Sequence, residues 1–69
     1  MFDFSTLTAQ ESNRDQAAQQ LSDEGLRLYK EKRYEAALEV FTVGIEKAKT
    51  FAPLYYNRGL ALSKLAWII

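Results

Sequence analysis

Apolar residues recur along this chain at spacings of three and four rather than two. Ala17, Leu21, Gly25 and Leu28 form one series, Ala37, Phe41, Gly44, Ile45 and Ala48 a second, and Tyr55, Gly59, Leu62, Ala66 and Ile69 a third. Such spacing keeps each set on one side of an α-helix. No stretch alternates with period two over a strand's length, so the pattern predicts an all-α fold.

Local signals place the ends of these helices. Thr8-Ala9-Gln10-Glu11 spells a capping box, in which a Thr hydroxyl and a Glu carboxylate satisfy each other's orphan backbone N–H groups. A long first helix is therefore predicted from about residue 9, with Phe2, Phe4 and Leu7 preceding it. Those three could fold back as a local cover or insert into a neighbouring molecule. Between Ala9 and Glu31 there is no Pro and no β-branched residue. Lys30, Lys32 and Arg33 crowd the helix end, where cations suit the helix dipole. The polar pair Lys32-Arg33 then turns the chain into a helical hairpin. Thr50-Phe51-Ala52 is expected to close the second helix, and Pro53 suits the first turn of the third, where its missing N–H costs nothing.

Shifting the chain by 34 residues aligns Ala18 with Ala52, Gly25 with Gly59, Leu26 with Leu60, Leu28 with Leu62 and Lys30 with Lys64. Leu21 meets Tyr55 in the same register. A helical hairpin recurring with this period is the pattern of a tetratricopeptide array.

At these residues the chain resembles the tetratricopeptide repeat family. The family's large first-helix residue falls on Leu21, its small one on Gly25 and its aromatic or Leu on Leu28. The turn aromatic falls on Tyr34, and the second-helix series of small, aromatic and small residues on Ala37, Phe41 and Gly44. Lys49 stands where the family has Pro, with Pro53 following shortly after, which alters the loop. The resemblance implies an antiparallel helical hairpin plus a third helix, a fragment of an α-solenoid. Residues 1–17 would be an N-terminal extension and the start of the first helix, 18–51 the first repeat and 52–69 the first helix of an incomplete second repeat.

The resemblance also implies protein–protein binding. In the family the first helices line a groove that holds a partner peptide or helix; carried over, the groove residues are Gln19, Ser22, Leu26, Tyr29 and Lys30, then Tyr56, Asn57, Leu60, Ser63 and Lys64. A subset of the family clamps the C-terminal carboxylate of chaperones. Only Asn57 matches that clamp, since Ser22 and Leu26 stand where it needs Lys and Asn. Asn57 could equally be a structural amide holding a neighbouring helix. Solenoids bury their cores by stacking. The unstacked third helix would leave Tyr55, Leu62, Leu65, Trp67, Ile68 and Ile69 as an apolar surface for self-association, a dimer being the first expectation. A longer scaffold whose continuation covers this face is the alternative.

Composition narrows the chemistry. With 69 residues the chain is one small unit, and with neither Cys nor His it lacks the usual nucleophile–base pairs and transition-metal ligands. Asp23 and Glu24 are adjacent and point about 100° apart on a helix, and Glu35 and Glu39 read as an exposed helix side. No enzyme and no cofactor is expected. Net charge is zero, which disfavours nucleic acid as a partner. The charge is uneven, however: residues 1–25 carry −4 and residues 26–69 carry +4. The apolar stretch Leu60–Ile69 is too short to span a bilayer and is broken by Lys64, and no basic, apolar leader precedes Ser5, so a cytoplasmic protein is expected.

Overall fold

The structure, a computed structural model, describes the backbone of residues 4–68 and the side chains of residues 13–68. Among the described residues there are three helices and no strand: α1 (Phe4–Lys30), α2 (Tyr34–Lys47) and α3 (Ala52–Ile68). Helix α2 returns antiparallel along the second half of α1, and α3 returns again, parallel to α1 and in contact with both. The molecule is a rod, 55 × 16 × 13 Å.

Helix α1 begins at Phe4 and not near residue 9. Thr8 therefore sits inside a helix and cannot cap it, because a capping residue needs a non-helical backbone. No Gly or Pro occurs upstream, so helix already nucleated downstream extends through this stretch at little further entropic cost. Phe4 and Leu7 consequently belong to the helix, while Phe2 lies outside the described residues.

The first turn is built by the backbone. Lys32 adopts φ 65, the left-handed conformation. Its N–H donates to the Tyr29 carbonyl at 3.0 Å and the Arg33 N–H donates to the Leu28 carbonyl at 2.9 Å. This pair of bonds is the Schellman arrangement, which satisfies the last carbonyls of α1. Helix α2 ends at Lys47, earlier than Thr50-Phe51-Ala52, with the Ala48 N–H bonded to the Gly44 carbonyl. The Tyr55 hydroxyl donates to the Lys49 carbonyl at 2.6 Å and ties the α2–α3 loop down. Pro53 lies in the first turn of α3 as expected.

The core comprises Ala18, Leu28, Ala37, Phe41, Ala48, Leu54 and Ala61. Its α1 members are Ala18 and Leu28, and Ala17, expected on the same side, is exposed. With 3.6 residues per turn, Ala18 lies about 20° from Gly25 around the helix and Ala17 about 80°. On α3 the buried side is Leu54, Asn57 and Ala61. The predicted series Tyr55, Gly59, Leu62 and Ala66 is exposed instead, and Ile69 lies outside the described residues. That series repeats the side of α1 that receives α2, and no described helix lies against it.

Candidate functional site

Helix α3 presents three flanks with different neighbours. Its inner flank packs on α1 and α2. Toward α1, Asn57 Nδ2 donates to Ser22 Oγ at 2.9 Å, with Ser22 2% and Asn57 6% exposed. Each group satisfies the other, as burial requires. Toward α2, the place where a Cβ on Gly44 would stand is 2.8 Å from a methyl of Leu54, so only a glycine lets these helices come this close.

The second flank borders α1 and carries the carried-over groove residues. Tyr56, Ser63 and Lys64 are exposed on α3, and Gln19 and Lys30 on α1, while Leu26, Tyr29 and Leu60 are half-buried between them. Tyr29 is held edge-to-face against Tyr34, with ring centroids 5.3 Å apart. Ser22 and Asn57 differ from the rest, because their polar groups are spent on each other inside the helix contact. Trp67 is eleven residues from Tyr56, about 20° around the helix, and so shares this flank. Lys64 Nζ lies 5.6 Å from the centroid of the Trp67 ring.

The third, outer flank holds Tyr55, Gly59, Leu62 and Ala66. Arg58 stands at its edge, over the Tyr55 ring at 5.7 Å. The expected self-association residues are thus not one patch. Tyr55 and Leu62 lie on the outer flank, Trp67 on the groove flank, and Leu65 and Ile68 line a cleft against the first turn. This cleft, of about 390 Å³, is bounded on the other side by Lys32, Arg33, Tyr34, Glu35 and Ala36. Its walls come from segments distant in sequence, and no local pattern announces it.

Electrostatics adds one local network. Arg27 grips Glu24 through Nη2 at 2.6 Å and Nε at 3.2 Å, and reaches Glu31 through Nη1 at 2.6 Å. The hydrogen bond from Arg27 holds the Glu24 carboxyl below its usual range, and the bond to Glu24 raises Arg27. All three are solvent-exposed, Glu24 and Arg27 on α1 and Glu31 just past its end. No group of acidic residues among the described residues could hold a metal ion. No helix is long and apolar enough to cross a membrane, as judged over the described residues.

Comparison with known proteins finds no matching family model, no matching curated protein and no matching solved structure.

Proposed function

We propose that this chain is a non-enzymatic protein–protein interaction module of tetratricopeptide type, one and a half repeats long, with α3 as its binding element. The observation that carries the reading is the exposed apolar and aromatic surface of α3, which occurs on more than one side of the helix and is interrupted by Arg58, Ser63 and Lys64. Large apolar side chains on a helix are ordinarily covered by a neighbour, yet Trp67 is 84%, Tyr56 69% and Ile68 67% exposed. Surface of this kind marks an interface. Aromatic groups give large contact area at low conformational cost, which suits the groove flank to a partner peptide or helix laid between α1 and α3.

A second reading, self-association through α3, is favoured by the outer flank. A Cβ on Gly59 would meet nothing within 4 Å, whereas the corresponding Gly25 is filled by a neighbour. The two flanks can be tested separately. Peptides selected for binding to the whole chain should weaken on Leu26→Ser with Leu60→Ser, by ~1 to 3 kcal/mol, the usual worth of buried aliphatics. Leu62→Glu should leave them bound and shift sedimentation toward monomer. Peptide binding unchanged by the Leu26 and Leu60 pair would remove the groove. Sedimentation that is independent of concentration in the unaltered chain would remove self-association.

A further inference from the structure

Among the described residues no helix lies against the outer flank of α3, and the N-terminal half of α1 extends beyond α2. Under the 34-residue shift the first of these surfaces reproduces the α1 side that seats α2: Tyr55 stands for Leu21, Gly59 for Gly25 and Leu62 for Leu28. On α1 the notch at Gly25 is filled by the Phe41 ring; at Gly59 it is open. The second surface is the N-terminal half of α1. Helix α1 has 27 residues and the antiparallel α2 only 14, so α2 covers α1 back to about Ala17 and the rest projects as an arm. Asn13, Arg14, Asp15, Gln16 and Ala17 are all exposed. A helix of this length is marginal in water without tertiary packing.

Charge and length select the pairing. Helix α3 contains no acidic residue, and Arg58 stands at the edge of its outer flank, whereas Lys64 lies on the groove flank. Among the described residues both cations rest over aromatic rings and neither forms an ion pair. The arm carries Glu11 and Asp15 against Arg14, with Phe4 and Leu7 three residues apart in its sequence. At 1.5 Å per residue the arm is about 20 Å long and α3 about 25 Å. Helix α3 runs parallel to α1 with Asn57 level with Ser22, so the arm extends past the start of its own α3 and can lie along that flank on a second copy.

We propose that two copies of this chain exchange arms, each laying the N-terminal half of α1 antiparallel along the outer flank of the other's α3, over the open notch at Gly59. The proposal rests on the reading of α3 as an interaction element and names its occupant. A two-fold axis near the middle of α1 generates both contacts at once, so the assembly closes at a dimer. In this arrangement the arm stands to α3 as α2 stands to α1.

The test is sedimentation equilibrium of the full chain across the micromolar range, with helicity followed by circular dichroism. The unaltered chain is expected to dimerise and to grow no further. Gly59→Gln should keep or increase helicity, because its side chain enters open space, and weaken the dimer roughly tenfold or more by filling the notch. Arg58→Glu alone, or Glu11→Lys with Asp15→Lys, should each weaken it, and all three changes in one chain should restore it. A dimer indifferent to the arm charges, or to Gly59→Gln, overturns arm exchange while leaving α3 as an interaction element. A chain monomeric throughout overturns both arm exchange and self-association, and species that grow beyond dimer overturn the closed arrangement.

Discussion

Gly25 and Phe41 are interlocked: a Cβ on Gly25 would stand 2.2 Å from Cε1 of the Phe41 ring, which is fully buried. No rotation of a methyl relieves that overlap, so the α1–α2 distance is set by the absence of a side chain at Gly25. The ring fills the space that the missing side chain leaves.

The same residue type at the corresponding place in α3 has the opposite consequence. Gly25→Ala should destabilise by ~1 to 3 kcal/mol, the range for overpacking a filled site. Gly59→Ala, whose site is open in the single chain, should stabilise the monomer by about 0.5 to 1 kcal/mol because glycine loses the most freedom on entering a helix. Urea unfolding at a concentration too low for dimerisation measures both. Equal effects from the two would mean that the notches are not distinct. Phe41→Ala belongs to the same series and should cost ~3 to 5 kcal/mol, comparable to the whole stability of so small a core.

Asn57 and Ser22 form the buried polar contact between α1 and α3. Removing one partner strands the other, so Asn57→Ala should cost ~1 to 3 kcal/mol. Adding Ser22→Ala to it should cost little more, since no orphaned group remains. A double-mutant cycle measures the coupling. Strict additivity would show that the hydrogen bond contributes nothing to holding α3 in place.

How much of this was legible beforehand depended on which contacts are local. The three helices, the turn at Lys32-Arg33 and the place of Pro53 follow from periodicity and from breaker residues that act within one or two turns. The burial of Ala37, Phe41, Gly44 and Ala48 follows likewise, because α2 has one apolar side. Helix α3 has large apolar residues on more than one side, so its own sequence does not choose which flank faces inward; α1 and α2 make that choice through Leu54, Asn57 and Ala61. The capping box at Thr8 misled for a related reason, since a cap needs a break before it and the preceding residues supply none. Asn57 was open to a structural or a ligand role, and its buried partner Ser22 lies 35 residues away, beyond any local pattern.

Lys32 is the one residue other than glycine found at positive φ among the described residues. Left-handed backbone costs an L-residue with a Cβ ~1 to 2 kcal/mol, and glycine there is nearly free of that cost. Lys32→Gly should therefore raise stability by up to about 1 kcal/mol after allowing for glycine's larger freedom in the unfolded chain. Thermal melting measures the gain. A loss instead would show that the Lys32 side chain contributes more at this turn than its backbone strain removes.

Glu24 makes stability depend on pH in a predictable direction. Its carboxyl is held below the ordinary value of 4.5 in the folded chain, chiefly by the hydrogen bond from Arg27. A group whose pKa is lowered by folding stabilises fully above its unfolded value, and that stabilisation disappears as pH falls through the lowered value. Both side chains are solvent-exposed, so salt and water screen the pair and the effect is small. Glu24→Gln should leave the chain slightly less stable at neutral pH and flatten its loss of stability below pH 4.5. Melting temperatures of the two chains should converge on acidification. Curves that stay parallel from neutral to acidic pH would show that the Glu24–Arg27 bridge, short as it is, adds no pH-dependent stability to α1.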